Sequence, residues 1–149
     1  MMPAADHAAR RQVMAICAGA TRKELDAALA GMRKLPSATD LRPGESGLVM
    51  LRGRMGGDGR AFNVGEASVT RAAVRLDDGR TGFAYQLGRD KDRARSAALL
   101  DALWQGAERD SVEAALQPIR ARIAADAALQ ARRVAATRVD FFTMVRGED

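Results

Sequence analysis

The sequence predicts an α+β fold, in which an antiparallel β-sheet (a hairpin or meander) is packed with N-terminal and C-terminal helices. Apolar residues recur at helical intervals up to about residue 35 and again after residue 90. Between 39 and 88 the pattern changes to short apolar runs broken by glycine, and Asp78-Gly79 falls between two of them as a hairpin signal. The 149 residues suit one domain, divided into N-terminal helices (1–35), antiparallel sheet (39–88), further helices (90–138) and a C-terminal tail (139–149). Hydrophobic residues make up 47% of the chain but aromatics only 4%, so the core must rest on Ala, Leu, Val, Ile and Met.

Ala9, Val13, Ile16 and Cys17 share one face of a first helix, which Gly19 ends. Thr21 and Glu24 have capping-box spacing, and Leu25, Ala28, Leu29 and Met32 continue a second short helix that closes before Pro36. The run 47–55 reads as a strand and 56–59, GGDG, as a flexible connection. In 67–88 a two-residue turn at Asp78-Gly79 would pair Asp77 with Arg80, and then Leu76 with Thr81, Val74 with Phe83, Ala72 with Tyr85 and Thr70 with Leu87 on one apolar face. The other face would then carry Ala73 with Ala84, Arg75 with Gly82 and Arg71 with Gln86. After Asp90, a good N-cap, the buried stripe is Ala94, Ala97, Leu100, Leu103, Trp104 and Ala107. A last helical stretch runs from Val112 through Leu116, Ile119, Ile123 and Ala127 to Val134, with a break or kink expected at Pro118.

The chemistry open to this inventory is narrow. His7 is the only histidine and Cys17 the only cysteine, at opposite ends of a short helix, which leaves no metal site of the usual zinc type. Nucleophilic catalysis of the Ser-His-Asp or Cys-His type lacks a well-placed base, and no phosphate-binding GxxxxGK[ST] loop is present. No catalytic residue is therefore expected, nor a cofactor bound by this chain alone. No segment approaches the ~20 apolar residues of a membrane span. The N-terminal MMPAADHAARR does not read as a signal peptide, and the lone cysteine suits a reducing compartment, so the expected location is the cytoplasm.

Two features are suited to an anion or an acidic partner. The net charge is +5, and of the 24 basic residues only Lys23, Lys34 and Lys91 are lysines, leaving 21 arginines. Arginine presents a planar fork of donors to carboxylates and phosphates. Arg71 and Arg75, with Gln86 between strands, would lie about 13 Å apart on one sheet face, either binding a partner or simply solvated. Arg89 and Lys91 flank a helix start whose N–H groups attract anions, unless Asp90 already caps it. In the tail, Phe141, Phe142, Met144 and Arg146 form a partly apolar patch that either folds back or docks on another protein.

Three strings in order, RMGGDGRAFNVGEASVTRAAVRLDDG (54–79), LGRDKDRARSAALLDALWQ (87–105) and ATRVDFFTMVRG (136–147), closely resemble the PhnG family of the carbon–phosphorus lyase system. The resemblance covers most of the chain from about residue 47. It implies a subunit of a core complex with PhnH-, PhnI- and PhnJ-like partners, PhnK and PhnL being associated. It also implies support for displacement of adenine from MgATP by an alkylphosphonate, chemistry attributed in the family mainly to PhnI, giving α-D-ribose 1-methylphosphonate 5-triphosphate. MgATP would be a substrate of the complex. The alternative from another class is a small basic nucleic-acid-binding α+β domain. Against it stands the expected register, which turns Phe83 and Tyr85 into the core and leaves no exposed aromatics for base stacking.

Overall fold

The computed structural model describes residues 4–32, 34–56 and 58–138. Its elements are α1 (Ala4–Gly19), α2 (Arg22–Ala30), β1 (Ala38–Arg54), β2 (Ala61–Leu76), β3 (Thr81–Leu87), α3 (Lys91–Trp104) and α4 (Arg109–Ala136). The strands form one antiparallel sheet in the order β1-β2-β3. This is the α+β arrangement that the sequence predicts, although β1 begins earlier than the 47–55 run suggested.

The helix boundaries follow from local chemistry. Thr21 accepts a hydrogen bond from the Glu24 N–H (3.3 Å), and the Glu24 carboxylate accepts one from the Thr21 N–H (2.7 Å), completing the capping box of α2. Asp90 caps α3 by accepting from the Arg93 N–H at 2.9 Å. Arg80 closes the other end of α3, donating to the Leu103 carbonyl (3.1 Å) and to Glu108 (2.7 Å). The helix stops at Trp104, so Ala107 is exposed rather than part of the buried stripe. Trp104 itself is buried, donates from its indole to Glu113 (2.8 Å) and carries the Arg109 guanidinium 4.0 Å from its ring centre. α4 passes through Pro118 without the expected break. Pro118 and Ala114, whose carbonyl loses its usual donor, are both exposed, so water can replace the missing N–H.

The hairpin register differs from the expected one by a single residue. Leu76 and Arg80 flank a three-residue loop, with the Gly79 N–H bonded to the Leu76 carbonyl (3.0 Å) and the Leu76 N–H to that of Arg80 (2.9 Å). Gly79 has φ +90°, while no non-glycine residue has positive φ among the described residues, so the loop is a type I turn closed by a glycine bulge rather than a type I′ turn. The pairs become Val74 with Gly82, Ala73 with Phe83, Ala72 with Ala84, Arg71 with Tyr85 and Thr70 with Gln86. On β3 every side chain is thereby on the opposite face from the expected one. Gly82, Ala84 and Gln86 face the helices, and Phe83, Tyr85 and Leu87 face away, at 50%, 54% and 67% exposure.

α3 lies close against this inner face. A Cβ on Gly82 would overlap the backbone of Ala98 and Ala102. Around that contact Val74, Leu76, Ala97, Leu100, Leu103 and Trp104 form the core, joined by Val13 and Leu25 and, from α4, by Leu116. β3 would be an open edge, but α1 and α3 cover it with side chains. Asp101, almost fully buried, accepts from the Phe83 N–H (2.9 Å) and from Arg10 (2.7 and 2.8 Å), and Gln105 donates to the Thr81 carbonyl (2.8 Å). The hydrogen bond to Asp101 raises the Arg10 pKa above its ordinary value, so the guanidinium stays charged.

Gly82→Ala should destabilise the chain by more than about 2 kcal/mol in urea unfolding, because backbone must move to admit the methyl group. Gly65→Ala, where nothing lies within 4 Å, should stay within about 0.5 kcal/mol. Arg122 hydrogen bonds, then the Thr21 N–H, hold the Glu24 carboxyl down at about 2. A depressed folded pKa stabilises fully above the ordinary value of 4.5 and is lost as pH falls through about 2. Glu24→Gln should therefore lower Tm at pH 7, by about 0.5–1 kcal/mol equivalent after solvent screening, and match the parent chain near pH 2.

Candidate functional site

The strongest candidate is a surface. The outer sheet face carries Arg71, Ala73 and Arg75 from β2, Phe83, Tyr85 and Leu87 from β3, and Thr39, Arg42 and Glu45 from β1. Arg71 sits opposite Tyr85 and is ion-paired with Glu45 at 3.2 Å; Glu45 also meets Arg42 at 3.4 Å. Arg75 is exposed and forms no ion pair among the described residues. The structure thus keeps Arg71 and Arg75 on one face, as the alternation predicts. It removes Gln86 from that face: Gln86 is buried, donates to the Cys17 carbonyl (3.1 Å), and leaves its Oε1 without a partner.

The α3 N-terminus is already supplied with negative charge. Asp90 occupies the cap, and Arg22 reaches Asp92 at 2.9 Å and Asp90 at 3.9 Å. Arg89 is exposed and donates to Ser68 Oγ at 3.3 Å, and Lys91 packs against Gly44, where a Cβ would lie 2.7 Å from its own. Arg89 and Lys91 are thus tied to Ser68 and Gly44 and take no part in the Arg42–Glu45–Arg71 ion pairs. Phe141, Phe142, Met144 and Arg146 lie outside the described residues.

The same sheet extends into an arm that sequence reasoning did not isolate. Its base is the Ser46–Thr70 hydroxyl contact (3.0 Å), with Thr70 fully buried and donating to the Gly88 carbonyl (2.7 Å). Beyond it β1 and β2 continue as a two-stranded ribbon to Arg54 and Ala61, about 27 Å at ~3.4 Å per residue. By alternation Leu48 and Met50 point to the helix side, past the reach of the helices, while Val49, Leu51 and Phe62 point to the outer side. A register shift leaves Val64 over Gly53, where a Cβ would come 2.7 Å from a Val64 methyl group. Leu48, Met50, Leu51, Phe62 and Val64 are all exposed, so the arm offers apolar side chains on both faces. The consecutive apolar residues Leu48-Val49-Met50-Leu51 were its sequence signal, since a ribbon with one wet face would alternate.

Catalytic chemistry finds little here. Burial, and then the charge of Asp101, push the Cys17 thiol up to about 12, which leaves it inert near neutral pH. His7 is exposed on α1. A groove of about 620 Å³ between α2 and α4 is lined mainly by alanines with Met32, Pro118 and Ile119, and Glu24 is the ionisable group among its described lining residues. Among the described residues no three His, Cys, Asp or Glu side chains gather as a metal site, and no helix is long and apolar enough to cross a membrane.

Comparison with known proteins agrees with the order of the three strings. A family model described as phosphonate metabolism protein PhnG matches residues 8–147. A relative from Rhizobium meliloti (strain 1021) is named alpha-D-ribose 1-methylphosphonate 5-triphosphate synthase subunit PhnG. It is 51% identical over 143 residues, covering 95% of this chain and 92% of that protein.

The register makes a prediction that separates the two faces. Phe83→Ser should change unfolding free energy by no more than about 0.5 kcal/mol, as for an exposed position, rather than the ~3–5 kcal/mol of a lost core phenylalanine.

Proposed function

The chain belongs to the PhnG family of phosphonate metabolism proteins, and on that footing we propose that it is a subunit of a multi-subunit synthase making α-D-ribose 1-methylphosphonate 5-triphosphate. In this reading an alkylphosphonate oxygen forms a bond to C1′ of MgATP as the bond to adenine breaks, and adenine leaves with a proton. That departure calls for a general acid and a nucleotide site. The described residues offer an inert buried thiol and a lone exposed histidine, so a PhnI-like partner supplies the chemistry. This chain contributes architecture: its open sheet face and arm bury against PhnH-, PhnI- and PhnJ-like subunits, with PhnK and PhnL associated, in the cytoplasm.

The observation that carries this reading is the exposure of Phe83, Tyr85 and Leu87 together with an arm apolar on both faces. Scattered exposed hydrophobics are ordinary, but a contiguous set along one sheet is characteristic of an interface. The exposed aromatics do remove the register argument against nucleic acid. The ion pair of Arg71 with Glu45, however, places a carboxylate beside Tyr85, where a phosphate backbone would have to pass. Family membership favours the protein interface.

Co-expression with PhnH-, PhnI- and PhnJ-like subunits followed by size-exclusion chromatography tests the proposal. The chain should co-elute with them, and Tyr85→Asp combined with Leu87→Asp should abolish co-elution while the isolated variant keeps the parent's Tm within a few degrees. Co-elution unaffected by these changes, or none with the parent chain, would contradict it.

A further inference from the structure

The tip of the arm concentrates positive charge that no ion pair among the described residues neutralises. Arg52, Arg54 and Arg60 lie within nine residues of each other around the glycine-rich turn, with Asp58 the only acidic residue between 52 and 60. Arg52 and Arg60 are exposed and form no hydrogen bond or ion pair among the described residues. Arg54 donates only to the Gly59 carbonyl, at 3.1 Å, which holds the side chain without cancelling its charge. In the body, Arg10, Arg80, Arg95, Arg109 and Arg122 each sit against a carboxylate, although Arg75 and Arg89 do not.

The turn itself brings backbone close to this cluster. Gly56 adopts φ +62°, and the Gly59 N–H bonds to the Met55 carbonyl at 3.0 Å, so close that a Cβ on Gly59 would meet that oxygen at 2.5 Å. Gly56 and Gly59 thus present bare backbone at the turn, beside the exposed Met55 and Asp58. The ribbon behind the tip is apolar on both faces, so burying it in a partner carries three guanidinium groups about 27 Å from the body into a water-poor setting. Cations moved there without anions would cost several kcal/mol each.

We infer that the arm tip is a guanidinium clamp for the triphosphate of the nucleotide substrate, delivered by Arg52, Arg54 and Arg60 into the active site of a partner subunit. The inference rests on the synthase reading above, whose named product retains a triphosphate in the relative. Arginine forks match phosphate oxygens in pairs, and three of them suit a chain of three phosphoryl groups. The clamp binds and orients; no bond is made or broken by these residues.

The experiment uses the co-expressed complex carrying Arg52→Gln, Arg54→Gln and Arg60→Gln singly and together. Binding of adenosine 5′-(β,γ-imido)triphosphate with Mg²⁺ is measured by calorimetry, with AMP and methylphosphonate as further ligands. Each single change should weaken triphosphate binding by about tenfold, and the triple change by over a hundredfold, as for lost hydrogen bonds to charged groups. AMP affinity should fall far less and methylphosphonate affinity stay unchanged, with assembly intact. Arg52→Lys should recover part of the loss. Unchanged triphosphate affinity in an assembled triple variant would overturn the clamp, as would loss of assembly, which would assign the arginines to partner carboxylates. Failure of the parent chain to assemble is a separate result: it removes the synthase reading itself.

Discussion

The close approach of α3 to β3 determines which surface this chain leaves open. Gly82 admits the backbone of Ala98 and Ala102 where no side chain would fit, and Ala84 and the alanines of α3 continue the narrow contact. With the inner face reserved for small residues, the large alternate residues Phe83, Tyr85 and Leu87 have only the outer face. The turn enforces the same choice. Gly79 in the left-handed region closes a three-residue loop, and the added residue shifts β3 by one position relative to a two-residue hairpin.

From this follows a division between a finished body and an unfinished surface. Within the body, side chains bond between elements, with Gln86 Oε1 and Arg120 Nε left over: Asp101 covers the β3 edge and Arg93 collects the Ala18 and Ala20 carbonyls at the end of α1. Arg122 joins Gly19, Glu24 and Asp126. These contacts use arginine as a staple between elements, which accounts for part of the chain's arginine content without any ligand. On the outer face and along the arm there is no such covering. Exposed Leu48, Met50, Phe62 and Val64 on a ribbon far from the helices have no role in the core, and a partner that buries them also fixes the ribbon's direction.

Much of the fold was legible because its signals are local. The capping box at Thr21 and Glu24, the Asp90 cap, the apolar face Thr70–Ala72–Val74–Leu76 and the buried Trp104 all follow from spacing alone. The sequence misled where two local rules competed. Asp78-Gly79 favours a two-residue turn, yet Asp78 instead uses its carboxylate to accept from the Arg80 N–H at 3.0 Å and leaves only Gly79 in the left-handed region. The register of a two-residue turn then placed Phe83 and Tyr85 in the core and Gln86 outside, the reverse of what the Gly82 contact allows. The helical stripe of α4 reads on to Val134, but among the described residues core packing ends near Ile123. The arm's length depends on where the helices stop, a tertiary fact that the alternation of β1 and β2 does not contain.

Hydrogen exchange on the chain alone and within the co-expressed assembly measures directly whether other subunits complete this surface. Amides of 47–54 and 61–68 should exchange at least tenfold more slowly in the assembly, while those of α3, already buried, change little. Equal exchange of the arm in both states would contradict the account, because a ribbon left in water by its partners has no architectural part to play.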